Sequence, residues 1–202
     1  TESLCENAAS ALRSYDRALA LNPDSTDAHA SKGKLLVDLG LFQDGVVHLR
    51  KAYKLANSRA DIATNLAVAE EQLGENERAD AHYILALDLI PNSSDIRFNY
   101  GYFLLKQGAL LEAKENLKRA CNNSPPSIRK VLALGLAYEF CNDHHAAKVA
   151  FDAVIGYSAK SRHDQWMQSL ALMKQGRLKE AFDQCSNPLS LPYDEHDSVF
   201  GA

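Results

Sequence analysis

The chain of 202 residues has one tryptophan and two methionines, and its four cysteines, Cys5, Cys121, Cys141 and Cys185, stand far apart with no CxxC pair. A zinc or dithiol site needs closely paired ligands, so these cysteines read as small apolar side chains with free thiols. No run approaches the ~20 consecutive apolar residues that cross a bilayer, which excludes a direct helical membrane span. The first residues lack a charged segment followed by an apolar one, so no signal peptide is visible. Basic residues (22) are fewer than acidic ones (26), and the net charge is −4. Nucleic-acid binding requires a clustered basic face, so no nucleic-acid partner is expected.

Catalytic signatures are missing as well. There is no phosphate-cradling GxxxxGK, no nucleotide-binding GxGxxG and no GxSxG elbow. The seven histidines, His29, His48, His82, His144, His145, His163 and His196, include no pair four residues apart. Asp143-His144-His145 reads as a solvated turn, and Glu70-Glu71 and Asp194-Glu195 read as solvated faces. No catalytic residue, metal-ligand set or cofactor site is assigned, and the chain is read as non-enzymatic.

What the sequence does contain is a period. Pro23, Pro91 and Pro125 are separated by 68 and 34 residues. Gly40, Gly74 and Gly108 recur every 34 residues, with Asn142 and then Gly176 at the next two places. A second glycine series, Gly33, Gly101 and Gly135, has Ala67 in its missing place. Small residues recur at Ala11, Gly45, Ala79, Ala113, Ala147 and Ala181, and again at Ala18, Ala52, Ala86 and Ala120. Large residues fill the place between them: Tyr15, Leu49, Tyr83, Leu117 and Phe151. Within one window, Ala113, Leu117 and Ala120 fall at i, i+4 and i+7, a single helix face. Each unit thus reads as two helices. In the best-formed one, the first runs from about Ser94 to Lys106 and is closed by Gln107-Gly108; the second runs from Leu111 to Cys121 and stops before Ser124-Pro125-Pro126.

Small residues, a large one and a terminal proline on this period resemble the tetratricopeptide repeat family. The resemblance covers about Ala8 to Asn187. It implies an all-α fold, a right-handed α-α superhelix of about five helix pairs behind an N-terminal partial repeat. The boundaries expected are a partial repeat at 1–25, repeats at 26–59, 60–93, 94–127, 128–161 and 162–195, and a C-terminal tail at 188–202, all in one solenoid. The last unit departs most: Ser169 stands in the glycine place and Pro188 where an alanine belongs. Its second helix is expected to end near Asn187.

The family's first helices line the inside of the superhelix. The resemblance therefore implies a partner-binding groove at Asn65, Phe98, Asn99, Tyr102, Leu132, Leu136, Trp166 and Leu170, flanked by Leu105, Glu139 and Met173. Earlier units contribute the more polar Ser31, Lys34, Asp38, Val68 and Glu71. Ala30, Thr64, Phe98 and Leu132 occupy the places where some members carry carboxylate-gripping lysines, which argues against a chaperone-tail clamp. Aromatic and apolar residues in such a groove suit an apolar or amphipathic segment of a protein partner. Two other uses of these side chains stay open: packing within the stack, and cover by the chain's own residues 190–200, which include Leu191, Tyr193, Val199 and Phe200.

A narrower likeness rests on Asn65-Leu66-Ala67-Val68-Ala69, Leu73-Gly74, Ala86-Leu87 and Pro91. It continues through Asn99-Tyr100-Gly101, Lys106-Gln107-Gly108, Ala113, Leu117, Arg129 and Leu132-Ala133-Leu134. This pattern is similar to the TadD-type proteins of the tight-adherence (Flp) pilus. The resemblance implies a periplasmic lipoprotein anchored at the outer membrane that assists the secretin; without it, a cytoplasmic adaptor is the expectation. The alternative is a structural or dimerising module of a larger protein, with a homodimer as its partner.

Overall fold

The computed structural model describes residues 2–122 and 126–186, with side chains from Asn7 onward. Helix starts follow from a chemical series spaced at the period. Ser25, Ser93, Ser127 and Ser161 each place a hydroxyl oxygen to accept a backbone N–H three residues on, from Ala28, Ile96, Lys130 and Asp164. Those N–H groups have no partner inside the first turn, so the cap satisfies an otherwise open donor. At Ser161 the bond is reciprocal, because the Asp164 carboxylate accepts the Ser161 N–H. Arg59 occupies the corresponding place ahead of the second full repeat and makes no side-chain cap. Its guanidinium instead pairs with Asp61 at 2.7 Å and with Asp27.

Among the described residues there are eleven helices and no strand. A long α1 (Glu2–Leu21) precedes five pairs: α2 (Thr26–Asp38) with α3 (Phe42–Leu55), α4 (Ala60–Gln72) with α5 (Asn76–Leu89), α6 (Ser94–Lys106) with α7 (Leu110–Asn122), α8 (Ile128–Phe140) with α9 (His144–Ile155), and α10 (Arg162–Lys174) with α11 (Leu178–Ser186). After each first helix the chain turns through a left-handed residue: Gly40, Gly74, Gly108 and Gly176 have φ between 73° and 78°, and Asn142 has 58°. That conformation closes the helix and reverses the chain, and glycine and asparagine adopt it most readily. Residues 123–125, including the stop expected at Ser124-Pro125, lie outside the described residues, as do Asn187 and Pro188.

Each pair interlocks at one crossing. A Cβ on Gly33 would lie 2.7 Å from Leu49 Cγ, one on Gly101 2.8 Å from Leu117 Cγ, and one on Gly135 2.8 Å from Phe151 Cε1. These glycines are small because the large residue of the partner helix occupies the space a side chain would need. Leu49, Tyr83, Leu117 and Phe151 are fully or almost fully buried there, each stabilising the fold by about 2 kcal/mol on apolar area alone. In the last pair, Ser169 stands in the glycine place and is buried, and Cys185 replaces the large residue.

The helices form two compact units, one ending at Pro91 and the other beginning at Asn92. In the first, Val37, Val46 and Leu49 pack with Leu66 and Ala69, while Ala30 and Ala52 pack with Ile62. In the second, Phe98, Leu117 and Ala120 pack with Ala133 and Ala137. Leu132, Phe151 and Val154 pack there with Met167 and Ala171.

Two expectations are corrected. Glu70 is not on a solvated face but wholly buried, with Arg50 Nη2 at 3.0 Å from Oε1 and His82 Nδ1 at 2.6 Å from Oε2. Glu70 and Glu71 are one residue apart, so a helix turns them to different sides, and only tertiary partners permit a carboxylate in the interior. His144 and His145 are not in a turn; Asp143 caps α9 through Ala146 N–H, and the two histidines open that helix.

Candidate functional site

The first helices of the second unit, α6, α8 and α10, carry the residues expected in the groove. The fifth residue of each repeat but the last proves to be a packing position. Phe98 is only 7% exposed and shares a cluster with Ala133 and Ala137 of α8. Leu132 is 6% exposed and shares one with Met167 and Ala171 of α10. Trp166 holds the same place in α10 and is 55% exposed. Phe98 and Leu132 therefore do not project freely, because each meets the small face of the helix that follows. Sequence periodicity identifies the helix but leaves open which side of it the neighbour covers.

A depression of about 420 Å³ opens over these helices, lined by Phe98, Asn99, Ile128, Arg129, His163 and Met167 among others. Its floor is apolar and its rim carries both signs of charge. Lys130 Nζ donates to Asp95 Oδ1 at 2.8 Å and to Ser94 Oγ at 2.6 Å, pinning α8 to the start of α6. Asp164 faces its own helix start, accepting from Lys160 N–H and Ser161 N–H. Tyr102, Leu136 and Leu170 are half-buried, with Tyr102 stacked on Phe98 at 6.2 Å between centroids. The structure brings Phe98 and Asn99 to the depression together with Met167, the neighbour of Trp166. Asn65 is half-buried on α4, in the other unit. Residues 190–200, proposed as cover, lie outside the described residues.

A second depression, of about 390 Å³, is lined by Glu139, His144, Lys148, Phe151, Lys174 and Arg177. It is closed on one side by the Glu139–Lys174 ion pair at 3.0 Å. Cys121, Cys141 and Cys185 are free thiols, and burial pushes the Cys121 thiol up. Among the described residues, no three histidines, cysteines or carboxylates gather as a metal site would require, and no helix is long and apolar enough to cross a membrane.

One titratable contact was not legible in the sequence. His29 of α2 and His48 of α3 face each other with Nδ1 atoms 2.9 Å apart, and His29 Nε2 lies 3.0 Å from the Pro23 carbonyl oxygen. Burial, then the charges of Lys32 and His29, hold the His48 imidazole below its ordinary value, against the weaker pull of Asp16 and Asp44. A histidine depressed in the folded state stabilises the fold at neutral pH, and that contribution is lost as pH falls below the unfolded value of ~6.5. The melting temperature is expected to fall between pH 7 and pH 5, and to fall less in a His48→Gln variant. Parallel pH profiles of the two proteins would count against this assignment.

Tetratricopeptide repeat models match residues 6–61 and residues 60–93. The human protein O-mannosyl-transferase TMTC3 is 28% identical over 126 residues, which is 60% of this chain; the match spans only 14% of that protein. Among solved structures, Pseudomonas aeruginosa PilF superposes with a TM-score of 0.70 at 24% identity, over 83% of this chain and 78% of that one. YrrB, described as a TPR protein with an unusual peptide-binding site, gives 0.66 at 22% identity over 86% of each chain. MamA gives 0.65 at 21% identity over 95% of this chain and 92% of that one. Models of the tetratricopeptide repeat thus match residues within 6–93, and the solved structures share the all-helical repeat fold of the whole described chain.

Proposed function

We propose that the chain is a non-catalytic adaptor holding an apolar or amphipathic segment of a partner polypeptide along its first helices. The observation that carries this reading is the depression over α6, α8 and α10, whose apolar floor of Phe98, Ile128 and Met167 is ringed by Asn99, Arg129 and His163. An apolar floor with a few polar groups at the edge is the usual form of a peptide-binding surface. Tyr102, Leu136 and Leu170 extend the apolar surface along the same helices. Leu132 contributes by holding α10 in place.

The finer reading is a role in tight-adherence pilus assembly, with the secretin as the partner held. It rests on the TadD-like run from Asn65 to Leu134. The alternative, a structural or dimerising module, draws support from the human relative, in which the matched region is a small part of a much longer protein.

The test is capture of a purified tight-adherence secretin by the full chain, compared with a Tyr102→Ala/Leu136→Ala variant. Two anchors of about 1 kcal/mol each imply at least tenfold weaker capture at an unchanged helical signal. Equal capture by both proteins would remove the groove from the function. No capture by either would remove the secretin, and a dimer in solution would then favour the module.

A further inference from the structure

In the first unit two imidazoles meet nitrogen to nitrogen across α2 and α3. His29 Nε2 lies 3.0 Å from the Pro23 carbonyl oxygen, which can only accept, so that nitrogen carries the proton and His29 Nδ1 presents a lone pair. His48 Nδ1, 2.9 Å away, therefore donates to it. Two ligand atoms about 2.0 Å from a metal ion stand about 2.8 Å apart when they meet at a right angle, and about 3.3 Å apart in a tetrahedral zinc site. The separation of the two Nδ1 atoms is close to the first of these. His29 also has the outer bond that orients a ligating imidazole, its far N–H held by a backbone carbonyl.

We propose that His29 and His48 bind a divalent copper or nickel ion through their Nδ1 atoms, with the Asp44 carboxylate as the third donor. Right-angled nitrogen and oxygen donors suit these two ions. No three such groups stand gathered among the described residues as they lie, and a turn of one exposed side chain completes the set. Asp44 precedes His48 by four residues on α3, so the two are neighbours on one helix face. It is exposed, it caps nothing, and its charge already acts on His48. The ion takes the place of the shared proton. That proton passes by way of water from His48 Nδ1 to His48 Nε2, and both Nδ1 lone pairs turn to the metal; no proton is lost and no electron moves. Burial, then the charges of Lys32 and His29, favours the neutral form of His48, which is the form that ligates. Lys32 opposes a further cation here, but its ammonium is held 2.5 Å from Asp16 Oδ1. The site lies on α2 and α3 and is independent of the groove residues.

Nickel(II) chloride is the probe, because a free thiol such as Cys185 does not reduce it. It would be titrated by calorimetry into the full chain at about pH 7.5, in a buffer that does not bind metal, with helical content followed in parallel. One site is expected, and saturating nickel should raise the melting temperature, since an ion held by α2 and α3 together binds only the folded chain. His29→Gln and His48→Gln should each weaken binding at least tenfold and abolish the thermal shift, and Asp44→Asn should weaken binding about threefold. His144→Gln/His145→Gln should leave binding unchanged. The exposed Asp44→Asn change decides the matter if the histidine variants fail to fold. A parent chain that takes up no nickel would overturn the proposal. Equal affinity in the parent and in His48→Gln or Asp44→Asn would overturn it as well, as would loss of binding in the His144→Gln/His145→Gln chain.

Discussion

Replacing Gly135 with leucine is expected to destabilise the second unit by roughly 3 kcal/mol, at the upper end of the cost of overpacking a core. That is a large share of the 5–15 kcal/mol by which a domain is ordinarily stable. A Cβ here would lie 2.8 Å and 3.0 Å from two Phe151 ring carbons and 3.2 Å from Ala150 Cβ. The ring is itself buried among Val131, Leu132 and Met167, so it has no room to retreat. Urea unfolding followed by circular dichroism would read the loss. Combining the change with Phe151→Ala should cost less than the sum of the two alone, because the second change vacates the space that the first requires. A Gly135→Leu chain within 0.5 kcal/mol of the parent would show that the helices can separate cheaply. Gly108 provides the contrast. Nothing lies within 4 Å of a Cβ there, and its requirement is a φ of 78°. Gly108→Ala should therefore cost only the left-handed penalty, about 1 kcal/mol.

A second large effect is expected where Glu70 is buried. Removing both of its partners, in Arg50→Ala/His82→Ala, leaves a carboxylate with no exposure and no counter-charge, at a cost of about 3–5 kcal/mol. His82→Ala alone should cost much less, because Arg50 remains 3.0 Å away and is itself steadied by Glu75 at 2.6 Å. One further result would identify the cause. Adding Glu70→Gln to the double variant should restore most of the stability, since a neutral amide is far easier to bury. A double variant as stable as the parent would mean that water reaches Glu70.

Most of the architecture was legible because the period acts through residues that admit few substitutes. The left-handed closers and the crossing glycines are such residues, and Ser94–Lys106 matches the expected first helix to the residue. The serine caps at 25, 93, 127 and 161 lie on the same period and mark the starts of four of the first helices. The side chains of the groove were less legible. Phe98, Leu132 and Trp166 occupy one register with the same apolar character, yet two are buried and one is exposed. That difference depends on the helix that follows, and no property of the residue itself encodes it. Glu70 and Glu71 make the same point for charge, since only the positions of Arg50 and His82 in space distinguish them.

Local capping also bears on how the molecule yields under tension. Each capping serine is the last residue of one repeat and its hydroxyl accepts from the first turn of the next, whereas each left-handed residue bonds within its own repeat. Pulling one repeat open would therefore strip the cap from its successor, and the loss would pass along the chain from repeat to repeat.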